Sequence, residues 1–228
     1  MATKPAQVLV TIPHPDDAEL RMAGTVARWV REGKDVIYVV CTNGDKGTND
    51  PNTTPEELAR VREQEQLAAA RILGVREVVF LRYPDQSLED TPEFRKDIVR
   101  LIRMYKPEIV VTVDLSRRYN HRDHRITAQV TIDAVFPSAG TISYPDLLEK
   151  GLQPHRVKEM LFCGTENPNY YVDITDTIDI KLAALRCHKS QVGDRPQFGE
   201  MLKQRARMSA EGQDYELAEA FHKEEVQW

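Results

Sequence analysis

The stretch Val8-Leu9-Val10-Thr11-Ile12-Pro13-His14-Pro15-Asp16-Asp17 sets a short apolar run directly against one imidazole and two adjacent carboxylates. A continuous apolar run of this length reads as a strand buried on both faces, the kind found inside a parallel sheet. Packed at its end, the His and Asp residues make little sense as core and good sense as half of a metal site. The arrangement recurs further on, where the strand-like Ile109-Val110-Val111-Thr112-Val113 is followed by His121-Arg122-Asp123-His124. Open α/β sheets bind ligands outside the carboxyl ends of their strands. The two clusters are therefore expected to meet at one edge of a sheet.

Outward from these blocks the first half alternates. Residues 18–32 read as a helix with Leu20, Ala23, Val26, Ala27 and Val30 as its apolar stripe and Gly33 as its stop. Residues 35–42 form a second strand, and the Gly-, Asn- and Thr-rich residues 43–54 a loop. Thr54 caps a helix that starts at Pro55 and closes near Gly74. A strand over 77–82, a helix opened by Thr91-Pro92 and running through Tyr105, and a strand over 108–113 follow. The pattern is that of a doubly wound, mainly parallel α/β sheet with helices on both faces. A helix over 124–136 closes this core, which spans about residues 6–136. Residues 137–154 are loop-rich. Strands over 159–163 and 170–174, a helix over 176–188 and a charged helix over about 196–223 complete a C-terminal extension. One domain over 1–228 is expected.

The 228-residue chain is long enough to bury a core without disulfides or metals as staples. A net charge of −5 offers no basic field to a nucleic-acid backbone. Cys41, Cys163 and Cys187 are odd in number and far apart, which suits a reducing cytoplasm. The first residues lack a signal-peptide core, and no apolar run approaches the roughly 20 residues of a membrane span.

His14 and Asp17 are three apart, so a helix capped by His14 and beginning at Pro15 would turn both toward one point. His124 adds a second imidazole. Three protein ligands with an open fourth position mark catalytic zinc, and the same donors suit Fe(II) or another divalent ion. Asp16, adjacent but pointing elsewhere, is placed for general-base work. His121 can reach the same cavity, with Asp123 accepting its ring proton, which suits it to stabilise an oxyanion and protonate a leaving amine. Either cluster alone would more often be a cap or a turn; two at equivalent strand ends favour function.

These blocks resemble the LmbE-like (PIG-L) family of zinc-dependent de-N-acetylases over nearly the whole chain. His14-Pro15-Asp16-Asp17 matches its first motif, with Ala23-Gly24-Thr25 where Gly-Gly-Thr is common. Thr42-Asn43-Gly44-Asp45-Lys46-Gly47 matches the loop after the second strand, and Arg62, Glu65, Ala69, Leu73 and Gly74 the helix beyond it. His121-Arg122-Asp123-His124 stands where His-Pro-Asp-His is usual. Lys181, Ala184, Leu185, His188, Ser190 and Gln191 match a C-terminal signature. The resemblance implies a Rossmann-like fold, zinc on His14, Asp17 and His124, Asp16 as base and His121 as electrostatic partner. It also implies substrate contact by Arg62, with Gly44 and Gly47 letting the backbone approach the cavity. His188 either lines the site or hydrogen-bonds the C-terminal segment, the second being favoured.

The expected activity is removal of an N-acetyl group from an amino sugar of the N-acetylglucosamine type. The rivals are metal-assisted hydrolysis of another amide or ester bond, and a sugar- or metal-binding module on the same fold. A cytoplasmic homo-oligomer, trimer or hexamer by resemblance, is the expected assembly, with Tyr144, Tyr170, Tyr171 and Trp228 as candidate interface residues.

Overall fold

Every apolar run named above is a strand in the computed structural model, which describes residues 3–116, 121–193, 195 and 197–228. The elements in chain order are β1 (Val8–Ile12), α1 (Asp17–Arg31), β2 (Val36–Thr42), α2 (Pro55–Leu73), β3 (Glu77–Tyr83), α3 (Pro92–Tyr105), β4 (Ile109–Val113) and α4 (Arg122–Ser138). There follow α5 (Pro145–Glu149), β5 (Glu159–Cys163), β6 (Tyr170–Asp173), α6 (Ile178–Leu185), α7 (Lys189–Val192), α8 (Phe198–Ser209) and β7 (Ala218–Glu225). The strands form one seven-stranded sheet in the order β3-β2-β1-β4-β5-β7-β6. β1 to β5 pair in parallel, while β7 runs antiparallel between β5 and β6.

The central strands are buried on both faces, as the continuous apolar runs predict. Val36, Tyr38 and Val40 of β2 join a core with Met22 and Val26 of α1 and Leu73 of α2. Ile37, Val39 and Cys41 join a second core with Phe94, Ile98 and Ile102 of α3. From β1 the chain steps through β2 to β3 on one side, then crosses back to place β4 on the other. This reversal leaves the crevice between the carboxyl ends of β1 and β4 as the topological switch point. Both His/Asp clusters open onto it.

Two local expectations need correction. The first helix starts at Asp17, not Pro15, so Asp16 occupies the residue before it, with φ +104° and ψ −23°. The C-terminal helix ends at Ser209, and residues 218–225 are a strand; Pro196 lies outside the described residues. The Glu- and Lys-rich composition of this segment suits a helix, but Phe221 and Leu217 enter the core of the sheet, and tertiary packing overrides propensity. Gly212, at φ +79°, is the breaker between the two elements. Of the aromatics expected at an interface, Tyr144, Tyr170 and Tyr171 are half-buried. Trp228 is 44% exposed and stacks on Phe136, which is 78% exposed.

Arg103 of α3 is a buried guanidinium that organises the chain after α4. It donates to the carbonyls of Pro137, Ser138, Gly140, Ser143 and Tyr144 at 2.7–3.4 Å. Replacing Arg103 with leucine strands several buried carbonyls and is expected to cost about 3 kcal/mol or more. Urea unfolding would read this as a lower midpoint at an unchanged slope; an unaltered midpoint would refute the assignment.

Candidate metal centre

The turn between β1 and α1 places His14 and Asp17 side by side. The His14 backbone N–H donates to Asp17 Oδ2 at 3.2 Å, and the same oxygen lies 3.2 Å from His14 Nδ1. His124, in the first turn of α4, brings Nε2 to 3.3 Å from Asp17 Oδ2. The three rings of His14, His121 and His124 gather with centroids 5.0–5.8 Å apart. Donors on a tetrahedral zinc with bonds of about 2.0–2.1 Å stand about 3.3–3.4 Å from one another. The two separations from Asp17 Oδ2 are compatible with this spacing. His14, His121 and His124 also bring ligand atoms within 4.8 Å of one another, as do His14, Asp85 and Asp123, so the cluster as a whole suits a divalent cation.

The surroundings fit it as well. His14 Nε2 lies 3.0 Å from Asp85 Oδ1 and 3.3 Å from Asp123 Oδ2. An imidazole that gives its other ring N–H to a carboxylate is held in one tautomer and made a better ligand. Buried carboxylates around one imidazole make the pocket a natural host for a cation. Burial alone would lower the His14 pKa, yet hydrogen bonds to Asp123, Asp17 and Asp85 raise it well above the usual histidine range. Burial would raise Asp17, but His124, His14 and Arg21 hold it far below the carboxylate range. Burial, with help from Arg21, His14 and His121, pushes His124 down to about 4 against the pull of Asp17, keeping it neutral as a ligand must be.

Asp85 is a member of this centre that sequence reasoning missed. It sits just past the end of β3, and a carboxylate at the same edge as the other clusters was the available signal. Asp123 also departs from expectation. Its carboxylate accepts from the backbone N–H groups of Gln86 at 2.6 Å and Leu88 at 3.3 Å, and its imidazole contact is with His14. His121 Nδ1 instead accepts the Asp123 backbone N–H at 3.3 Å, which leaves the ring proton on Nε2.

Asp16 makes no side-chain capping bond to α1, so its carboxylate is not consumed by the helix. Burial first, then repulsion from Asp17, pushes it up to about 7 against Arg62, His188 and His14. Arg62 lies in the wall beside it, 3% exposed. One guanidinium nitrogen donates to Pro15 O at 2.6 Å and lies 3.4 Å from Asp16 Oδ2; the other donates to Gly44 O at 3.0 Å. The residue expected to meet substrate thus braces Asp16 and its turn. Gly44, at φ +64°, and Gly47 make room for it: a Cβ at either would come within 2.6 and 2.3 Å of the Arg62 guanidinium. His188 is fully buried with Nε2 3.2 Å from Glu19 Oε2 of α1.

A recess of about 660 Å³ adjoins the centre, lined by Arg21, Gly164, Thr165, Tyr171, Lys181 and Glu219 among others. Arg21 forms the partition, with Nε 3.5 Å from Asp17 Oδ1 and a terminal nitrogen 3.3 Å from His124 Nδ1.

A family model described as GlcNAc-PI de-N-acetylase (PIG-L) matches residues 9–135. The diacetylchitobiose deacetylase of Thermococcus kodakarensis is 40% identical over 187 residues, which cover 81% of this chain and 70% of that protein. A 1D-myo-inositol 2-acetamido-2-deoxy-alpha-D-glucopyranoside deacetylase of a Mycobacterium species is 28% identical, covering 83% of this chain and 75% of its own length. Among solved structures, the N,N′-diacetylchitobiose deacetylase of Pyrococcus horikoshii superposes with a TM-score of 0.91 at 35% identity. That alignment spans 98% of this chain and 84% of the other.

Proposed function

The chain belongs to the GlcNAc-PI de-N-acetylase (PIG-L) family, and from that premise we propose that it hydrolyses the N-acetyl group of an N-acetylglucosamine-type amino sugar. What carries the proposal is one juxtaposition. His14, Asp17 and His124 present closely spaced donors beside Asp16, a half-buried carboxylate that does not cap its helix. Relatives named for deacetylating diacetylchitobiose and a 2-acetamido glucopyranoside support the substrate class.

A divalent cation on His14, Asp17 and His124, zinc or alternatively Fe(II), supplies Lewis acidity that polarises the amide carbonyl and acidifies water. Asp16 takes the proton of the attacking water as the new C–O bond forms. His121, with its ring proton on Nε2, donates to the oxygen that gains negative charge. Asp16, now a carboxylic acid, returns its proton to the nitrogen as the C–N bond breaks, releasing acetate and the free amine. Arg62 holds the Asp16 turn, and Asp85 and Asp123 hold the His14 ring.

Asp16 works as a base only when ionised, so turnover falls as pH drops through its pKa. Once Asp17 is neutralised by coordination its repulsion fades, and the acid limb is expected between the ordinary carboxylate range and about 7. Arg62 lowers the Asp16 pKa, so Arg62→Gln is expected to move that limb upward. A kcat/KM profile of both proteins checks the sign, and a downward move would contradict it.

The direct test is acetate release from a panel of N-acetylglucosamine derivatives, with elemental analysis of the purified protein. A fully metallated protein that releases acetate from none of them would end the proposal. Among the described residues no helix is long and apolar enough to cross a membrane. The free cysteines support a cytoplasmic setting. Exposed Phe136, Ile142 and Trp228 support a homo-oligomer of this one-domain chain.

A further inference from the structure

Asp16 carries a backbone conformation that an L residue rarely adopts, at φ +104°, and such a residue costs about 1–3 kcal/mol unless its surroundings over-determine it. Among the described residues its carbonyl accepts only the ordinary helical bond from Leu20 N at 2.9 Å. Its N–H donates to the side chain of Gln66, with Oε1 at 3.1 Å. Gln66 lies on the buried face of α2, one turn beyond Arg62, and is fully enclosed.

The Gln66 amide has a defined orientation because of what stands behind it. Its Nε2 donates to Glu19 Oε1 at 3.0 Å, and Glu19 Oε2 in turn lies 3.2 Å from His188 Nε2. Flipping the amide would turn its oxygen on the Glu19 carboxylate and its NH2 on the Asp16 N–H, losing both bonds. Glu19, Gln66 and His188 are all at 0% exposure, so water cannot substitute for any link.

We propose that Gln66 is a positioning residue for Asp16. The chain from His188 through Glu19 to the Gln66 amide locks the strained turn that aims the Asp16 carboxylate at the reacting water. None of the three touches the ligand atoms of His14, Asp17 or His124 in this arrangement, so the device acts on the base and not on metal affinity. The proposal rests on the reading of Asp16 as base.

Gln66→Leu removes both bonds, and Gln66→Glu keeps the acceptor while setting a carboxylate against Glu19. With Gln66→Leu, kcat is expected to fall about a hundredfold, the scale of a misplaced catalytic group. KM and metal dissociation constant should hold within about twofold, since neither substrate nor metal contacts are touched. The same change in an Asp16→Asn background should cost less than about threefold, because residues acting through one another do not add. A purely structural role would lower both backgrounds alike, or weaken metal binding, and either result overturns the proposal.

A second readout needs no turnover. Hydrogen exchange at the Asp16 amide should be about tenfold faster or more in Gln66→Leu than in the parent protein, and less accelerated in Gln66→Glu, which keeps the acceptor. Unchanged protection in a folded Gln66→Leu variant refutes the clamp. Lost protection in a chain whose parent releases no acetate keeps the clamp and refutes the deacetylase reading.

Discussion

Asp16→Asn is expected to lower kcat for acetate release by about a thousandfold while the protein keeps its full complement of metal. General-base catalysis contributes about 10²–10⁴, and the loss falls on kcat because the carboxylate acts in the transition state and not in binding. Asparagine is the cleaner replacement because it tolerates left-handed backbone better than most residues. Asp16→Ala should lose at least as much activity and some stability besides, since alanine would inherit the strain at φ +104°. Retention of metal is the discriminating half of the prediction. Under the proposed function coordination falls to His14, Asp17 and His124 and not to Asp16, so elemental analysis should find the variant as loaded as the parent. A variant stripped of metal yet hydrolysing at the parental rate would reverse the roles of the two aspartates.

His14→Ala and His124→Ala are expected to lose metal and turnover together, with affinity falling at least about a hundredfold, beyond the 10–100-fold that supporting residues command. The two should differ in the metal-free state. His124 is already neutral there, pushed down to about 4, and its removal takes away no charge. His14 is held protonated by the carboxylates of Asp17, Asp85 and Asp123. Deleting it leaves those carboxylates facing one another, so His14→Ala should be the less stable of the pair. The same protonation means that metal must displace a proton from His14, and uptake by the parent protein should weaken as pH falls. Competition against a chelator at several pH values measures both effects. Metal affinity in His14→Ala equal to the parent's would remove the centre from this site.

The part of the site that could be read in the sequence was the part carried by neighbours along the chain. His14, Asp16 and Asp17 occur in one turn, His121 and His124 in another, and each block follows a continuous apolar run that reads as a buried strand. The alternation through β4 gave the parallel core for the same reason. Asp85 escaped because an aspartate after Tyr83-Pro84 looks like an ordinary turn residue until β3 is seen beside β2 and β1. Gln66 and Glu19 escaped because polar residues within a helix read as solvent-facing, and only the packing of α2 and α6 against α1, with His188 just after α6, encloses them. The strand at 218–225 was misread because its composition is helical, while its place between β5 and β6 is decided by partners more than 40 residues away in sequence.

The fit of the Arg62 guanidinium against Gly44 and Gly47 bears on how this centre could be transplanted. A protein engineer moving the two His/Asp blocks onto another parallel sheet would carry every ligand and still leave Asp16 unsupported, unless the arginine came too. The arginine in turn has no room unless both hydrogen-only positions of the neighbouring loop accompany it. The smallest portable unit is thus three loops and one helix face, and a stepwise graft would pass through intermediates worse than either endpoint.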